Sequence, residues 1–159
     1  MSIIIKKTPK TDGTITDDAI KAYEFLGNYM HINDVQKGCA FIANKIIEAG
    51  IKHDDTKMTI DDINKKMAEC KSDIDVKSSD WYKSHIHNNR HHFHQLKNCP
   101  DDYNLIDVIE SLVDCVVAIK ARRGQDAKMA ADYISPELLA KAFKNTIEML
   151  ENEIIVENE

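Results

Sequence analysis

Glycine and proline are scarce in this chain, with five glycines and three prolines among 159 residues. Tight turns rely on these two residue types, so their number is too small for a turn-rich β-sandwich or barrel. Lys, Glu, Ala, Ile and Leu dominate instead and recur at helical spacing. We therefore predict an all-α fold, a compact bundle of about six helices in a single domain over residues 1–159, with its core over about 17–150.

Capping residues and the spacing of apolar side chains set the predicted helix boundaries. The first helix is predicted over about 17–30, and a second one restarts at Asn33-Asp34 and ends at Gly50. The helix after Asn104, which ends near Arg123-Gly124, is the most apolar and is predicted to be the most central. The other predicted helices run from Thr59 to about Cys70, from Ser78 through about His92 and from Ser135-Pro136 onwards, with loops over 71–78 and 95–103.

Charge and cysteine usage limit the partners and the compartment. A net charge of -6 argues against a broad electrostatic interaction with DNA or RNA. No apolar stretch approaches the roughly 20 residues that span a bilayer, and the N-terminal residues lack the order of a signal peptide. We therefore expect a cytoplasmic protein that does not bind membranes. Four widely spaced cysteines are predicted to remain thiols: Cys39, Cys70, Cys99 and Cys115.

The histidines are concentrated in one part of the sequence. All seven lie between positions 31 and 94, and five fall in one ten-residue window: His85, His87, His91, His92 and His94. Neutral imidazole is a common transition-metal ligand, and the alternative is a solvated helix face that is rich in histidine. On a helix, His85 and His92 nearly share a face and His91 lies beside them. His87 and His94 are predicted to support the ligands or to face solvent.

The most apolar predicted helix also contains three carboxylate residues. Asp107, Glu110 and Asp114 are spaced i, i+3 and i+7, which places them on one face. Asp114 lies among apolar residues, and a carboxylate there is costly unless it is paired or binds a metal. Asp107 is close to the helix start, where interaction with the helix dipole is the alternative to a ligand role. His53-Asp54 adds an adjacent imidazole and carboxylate, and the carboxylate could bridge two ions.

The order of these residues, with His31 upstream, resembles the HD-domain metallohydrolase superfamily, whose helical core carries an H…HD…D pattern. The segment from His53-Asp54 to Lys57 is similar to the superfamily signature, an HD dipeptide followed by Ile or Leu, by Gly or Ser, and by Lys. The stretches 85–92 and 107–114 look like a family of small phage and bacterial proteins of unknown function. The resemblance covers about residues 28–123 and implies an HD-domain-like helical bundle.

The resemblance also implies a His/Asp centre for one or two divalent transition-metal ions: Mn, Fe, Zn, Ni or Co in preference to Mg. The implied ligands of a first ion are His31, His53, Asp54 and Asp114, and a second ion would share Asp54 and be held by His85, His91 and His92. Lys57 would contact a phosphate or the transition state, and an exposed lysine is the alternative. The short spacing from His85 to His91 indicates that both lie on one helix.

The leading functional hypothesis is a metal-dependent phosphohydrolase that acts on a nucleotide or another small phosphate ester. Two ions roughly 3.5 to 4 Å apart would lower the pKa of a bound water and offset charge on the phosphoryl oxygens. Glu110 is the candidate acid/base or ligand-orienting group. Arg90 and Arg122 are candidates for phosphate contacts, and helix capping is the alternative role for Arg122.

Two alternatives stay open at this stage. One is a diiron oxygen-dependent enzyme of the HD type, because His/carboxylate ligands also suit iron. The other is a non-catalytic, metal-stabilised protein that binds a nucleotide or a partner. The acidic tail over 148–159 either frays in water or docks through Ile154-Ile155-Val156 on a second subunit, which would make the protein a homodimer.

Overall fold

Helices account for nearly all of the regular structure. The computed structural model describes residues 2–6, 18–72, 76–97, 99–124 and 134–157. Its α-helices are α1 (Asp18–Lys52), α2 (Ile60–Glu69), α3 (Asp80–Asn88), α4 (Leu105–Arg123) and α5 (Pro136–Glu153). Two 3-10 helices span Asp55–Met58 and Arg90–Gln95, and two short strands, β1 (Ile3–Lys6) and β2 (Ile154–Glu157), pair in parallel. The predicted all-α class is confirmed.

In the part of the chain that the structure describes, no helix combines the length and the apolar character that crossing a membrane requires.

The predicted break between a helix over 17–30 and another from Asn33 is wrong, because α1 is continuous from Asp18 to Lys52. The side chain of Asn33 donates to the carbonyl of Tyr29, one turn earlier, at 3.0 Å. Asp34 accepts from Lys37 at 2.8 Å. Both polar side chains are therefore satisfied on the surface of one helix and do not cap a new one.

Other boundaries follow the local capping chemistry. Thr59 accepts from the backbone N–H of Asp62 at 3.2 Å and caps α2, as predicted. Asn104 and Asp107 form a capping box that begins α4. Gly124 ends α4 in the left-handed region, with a φ of 62°. Asp107 therefore acts at the start of a helix, which is the alternative to a ligand role that the sequence analysis left open.

The described chain divides into two compact units, Met1–Lys45 with Ile147–Glu159, and Ile46–Thr146. In the first unit, β1 and β2 pair with Ile3 opposite Ile154, and Lys37 donates to the carbonyl of Ile4 at 3.2 Å. The tail therefore neither frays over 154–157 nor needs a second subunit to form regular structure. The single domain over 1–159 and the homodimer stay predictions.

The core of the second unit is aromatic. Phe93, Tyr103 and Ala142 are fully buried, and the two rings stack with their centroids 4.5 Å apart. The Tyr103 hydroxyl donates to the carbonyl of Leu138 at 2.9 Å, so burial leaves its O–H satisfied. Phe93 lies in the 3-10 helix Arg90–Gln95, between two histidines. Its packing therefore anchors the segment that carries them.

Replacing Phe93 by Ala should lower the free energy of unfolding by about 3–5 kcal/mol, the usual cost of emptying a buried phenylalanine site. Urea denaturation followed by circular dichroism measures this. The matched control is Phe143→Ala in α5, where the side chain is 59 % exposed and a much smaller loss is expected. Equal losses in the two variants would contradict the core assignment.

Candidate metal centre

The histidine segment is broken at Asn89, so the prediction of one helix from Ser78 through His92 is wrong. α3 ends at Asn88, and Asn89 has φ -114° and ψ 111°. The Asn89 side chain donates to the carbonyl of His85 at 2.8 Å, which satisfies the end of α3. His85 therefore lies on α3, whereas His91 and His92 lie on the 3-10 helix that follows. They do not share one helix.

The break folds the 3-10 helix back towards α3. His85 and His92 meet through their Nε2 atoms at 2.8 Å, and their ring centroids are 4.7 Å apart. The His85 ring stacks on Trp81, whose indole N–H donates to Asp62 at 2.8 Å and ties α3 to α2. Both histidines therefore lie on elements of the second unit, and packing within that unit holds them in place.

His53 and Asp54 lie in a turn directly after α1. The N–H of His53 bonds the carbonyl of Gly50 at 3.4 Å, and Asp54 adopts a left-handed backbone with φ 54°. Aspartate tolerates this region better than most residues, although such a conformation costs of order 1–3 kcal/mol. Strain of this kind clusters at functional sites.

Asp54 and three histidines converge in one group. Asp54, His85, His91 and His92 each offer one donor atom, and the four atoms lie within 4.8 Å of one another. Asp54 Oδ1 is 3.5 Å from His85 Nε2 and 3.6 Å from His91 Nε2. Metal–ligand bonds of about 2.0–2.2 Å at tetrahedral angles would separate ligand atoms by about 3.3–3.6 Å. These two distances fit a shared ion.

Two buried atoms of this group have no hydrogen-bond partner among the described residues, Asp54 Oδ1 and His91 Nε2. They face each other at 3.6 Å. An unpaired carboxylate oxygen away from water is costly, and a cation between the two atoms would satisfy both. The donor set therefore fits a divalent transition-metal ion.

His53 and Asp114 lie on the other side of Asp54. His53 Nε2 is 3.3 Å from Asp54 Oδ2 and 3.6 Å from Asp114 Oδ1. Asp114 thus reaches the turn after α1, as the sequence predicted. The two oxygens of Asp54 face different partners: Oδ1 faces His85 and His91, and Oδ2 faces His53. A carboxylate in this position can bridge two ions.

Glu110 contacts one histidine on each side of Asp54. Its Oε1 lies 2.9 Å from His53 Nδ1 and 3.0 Å from His91 Nδ1. Burial raises the pKa of Glu110, but hydrogen bonds from His91 and His53 outweigh burial and hold that pKa below its usual value. An ionised carboxylate only accepts, so both imidazoles donate to it from Nδ1, and Nε2 is the ring nitrogen that faces Asp54. The same three residues could alternatively hold an ion themselves.

The protonation states of the group suit metal binding. Burial, and then the charge of Lys57, lowers the pKa of His85 to about 4. Burial, and then the neighbouring His91, lowers the pKa of His92 to about 3. Burial would raise the pKa of Asp54, but hydrogen bonding to Lys57 and its charge bring that pKa below the ordinary value. At neutral pH the imidazoles of His85 and His92 are therefore neutral and the carboxylate of Asp54 is ionised, which are the forms that bind metals.

Metal-free protein should lose stability as the pH falls from 7 to 5. The folded-state pKa values of His85 and His92 lie below the ordinary 6.5, so the unfolded chain binds more protons in this window. Their stabilisation is complete above pH 6.5 and is lost as the pH falls towards their folded pKa values. Each histidine contributes a loss of roughly 2 kcal/mol by pH 5. Urea denaturation with a chelator present measures it.

The control for this pH dependence is a neighbouring histidine. His92→Gln should remove about half of the loss between pH 7 and 5. His87→Gln should leave it intact, because His87 is exposed on α3 and lies outside the group. The same pH dependence in both variants would show that the buried imidazoles do not cause it.

Two predicted residues are placed elsewhere. His31 is exposed in the first unit and belongs to neither metal-capable group of the described chain. Arg90 donates from Nε and Nη2 to Asp107, both at 2.9 Å, and from Nη1 to Asp102. These bonds tie Arg90 to the start of α4, and its predicted phosphate contact stays a prediction.

One contact of the group was missed by sequence reasoning. Gln95 Nε2 lies 3.1 Å from His92 Nδ1, at the ring nitrogen that faces away from the group. In a 3-10 helix, residues i and i+3 eclipse each other, and Gln95 follows His92 by three. The signal was present in the sequence, but only knowledge of the 3-10 helix reveals it. The side-chain nitrogen of Asn89 likewise lies 3.0 Å from a ring nitrogen of the group, His85 Nδ1.

Comparison with known proteins identifies no relative. The sequence matches no protein-family model, and no curated protein or solved structure is significantly similar to it. The resemblance to HD-domain proteins therefore stays a prediction based on residue order. The described residues support the coarser conclusion that a His/Asp/Glu group in the second unit could hold a metal ion.

Proposed function

We propose that this protein is a metal-dependent phosphohydrolase of the HD type that acts on a small phosphate ester, with nucleotides among the candidates. The observation that carries the proposal is the position of Asp54. Its two oxygens face separate histidines, and the buried Oδ1 has no hydrogen-bond partner among the described residues. A protein without a cation here would keep that carboxylate at a cost.

In the proposed site, Asp54, His85, His91 and His92 would hold one ion. His53 and Asp114, on the other side of Asp54, would hold a second one. A divalent ion at such a site supplies Lewis acidity, which activates water as a nucleophile and offsets charge on phosphoryl oxygens. The protein's part is to hold these donors in position and to shield them largely from solvent.

Lys57 is the residue of the site best placed to meet a phosphate. Its Nζ contacts Asp54 Oδ2 at 2.5 Å, and its side chain is 35 % exposed. An ammonium group that touches a ligand carboxylate and also reaches solvent can neutralise a phosphoryl oxygen as it approaches. We therefore assign Lys57 to substrate contact and transition-state stabilisation.

Glu110 acts in this proposal as a positioning residue. The two histidine Nδ1 atoms occupy its Oε1, and its carboxylate stays ionised at neutral pH. A group in this state does not supply a proton. Of the two roles open at the sequence level, orientation of ligands is therefore favoured over acid catalysis.

Metal analysis with an activity screen tests the proposed function. Protein purified without added metal should retain one or two transition-metal ions per chain by mass spectrometry of the elements. It should release phosphate from nucleotides or simple esters with Mn²⁺, and EDTA should abolish the release. Absence of both metal and phosphate release would refute the proposal. Turnover that needs O₂ and iron would indicate the diiron alternative, and bound metal without turnover would indicate the binding protein.

A further inference from the structure

A cleft lies beside the candidate metal centre, within the second unit. Its volume is about 450 Å³, and two of its wall residues touch the centre. Asp114 is 3.6 Å from His53, and Gln95 is 3.1 Å from His92. The Tyr82 hydroxyl donates to Gln95 at 3.2 Å, which extends this wall away from the histidines. A ligand at the metal centre could therefore extend into the cleft.

The cleft has an apolar floor and two cations. Cys115, Ala118 and Ile119 lie on one face of α4, and Arg122 continues the same face at i+7 from Cys115. Lys77 lines the cleft from the segment before α3. Among the described residues, neither Lys77 nor Arg122 has an ion-pair partner, and both are exposed. The protein is acidic overall, so two cations in one cleft that have no ion-pair partner in the described part of the chain form a local anion-attracting site.

Arg122 stands apart from the metal-facing end of the cleft. Arg122 follows Asp114 by eight residues on α4, which corresponds to a rise of about 12 Å along the helix axis. An anionic group that meets Arg122 is thus separated from one held at the metal centre. The apolar face of α4 lies between them and suits a carbon spacer.

We propose that this cleft selects phosphate esters that carry a second anionic group, such as another phosphate, on a carbon spacer. Lys77 and Arg122, the two cations that line the cleft, are the specificity-determining residues for the second anion. The proposal rests on the proposed function, because it takes the metal centre as the place where the first phosphate binds. It names a substrate class, spaced bisphosphates, that the metal ligands alone do not define.

Equilibrium binding of non-hydrolysable probes tests the cleft. Isothermal titration calorimetry in excess Mn²⁺ compares hexane-1,6-bisphosphonate with hexylphosphonate, which differs only in lacking the second anion. We expect the bisphosphonate to bind about tenfold tighter or better, the usual effect of a charge-assisted contact. The double variant Lys77→Gln/Arg122→Gln should bring the two affinities to within about twofold. Lys120→Gln, an exposed cation of α4 outside the cleft, should keep the preference.

Equal affinities in the wild-type protein, a preference that survives in the double variant, or no measurable binding of either probe would overturn the cleft proposal. Phosphate release from p-nitrophenyl phosphate and from hexane-1,6-diol bisphosphate is measured in parallel. A bisphosphonate preference without any metal-dependent release would refute the hydrolase and leave the cleft as a ligand site. Release from both esters without a bisphosphonate preference would support the hydrolase and refute the cleft proposal.

Discussion

Asp54→Asn should abolish metal-dependent phosphate release, with kcat/KM reduced about a thousandfold or more, because the proposed ions lose their shared anionic ligand. Metal affinity should fall by more than the 10–100-fold typical of losing a group that only supports a ligand. The amide also lacks the negative charge that Asp54 presents to Lys57 and to the facing histidines. Phosphate release and metal content per chain measure the two effects.

The substitution is chosen to keep the turn intact. Asp54 has a φ of 54°, and asparagine is as tolerant as aspartate of the left-handed region. Asp55→Asn is the matched control, since it makes the same chemical change at the next position, where the side chain is exposed. It should retain metal and activity. Retention of both by Asp54→Asn, with circular dichroism unchanged, would remove Asp54 from the centre and the proposed chemistry with it.

Boundaries that depend on local capping were predictable from the sequence. Thr59 before α2, Asn104 before α4 and Gly124 after it each act through hydrogen bonds or backbone conformations within a few residues. Asn33 shows the limit of such signals. The same residue type caps a helix or bonds back to the carbonyl of its own previous turn, and only the surrounding helix decides between them.

The sequence predicted that His85 and His92 lie close together, but this prediction assumed a continuous helix that the structure does not contain. A continuous helix would have placed them on one face seven residues apart, whereas the chain breaks at Asn89 and returns in a 3-10 helix. Their Nε2 atoms nevertheless meet at 2.8 Å. A short-range pattern therefore indicated that the two histidines lie close together but not the scaffold that brings them there, since sequence spacing does not reveal that Phe93 is buried in the core beside them.

Contacts between distant parts of the chain were the least predictable. Glu110 was singled out for its place beside Asp114, but its contact with His53 joins residues 57 positions apart. Nothing in local spacing says that one carboxylate oxygen will meet imidazoles from two elements. His31, which residue order alone included, is exposed in the other unit, and its ligand role stays a prediction.

Glu110→Gln should weaken metal binding by about 10–100-fold, the range found when a carboxylate that orients a histidine ligand is removed. The neutral amide oxygen is a weaker acceptor than the carboxylate oxygen that both rings contact, so it no longer fixes the Nδ1 protons of His53 and His91 as strongly. Competition with a chelator of known affinity measures the loss. Glu148→Gln, which changes an exposed glutamate in α5, should leave the affinity unchanged.

A purely structural role for Glu110 would give a similar loss of metal, so the tautomers of the histidines provide the decisive measurement. In the metal-free wild-type protein, long-range ¹H–¹⁵N NMR spectra should show His53 and His91 protonated at Nδ1, because an ionised Glu110 accepts from both. In Glu110→Gln at least one of the two rings should move towards the Nε2-protonated form, in which the nitrogen that faces Asp54 can no longer bind a metal. Unchanged tautomers together with weakened metal binding would mean that Glu110 acts through packing, and the proposed orienting role would be lost.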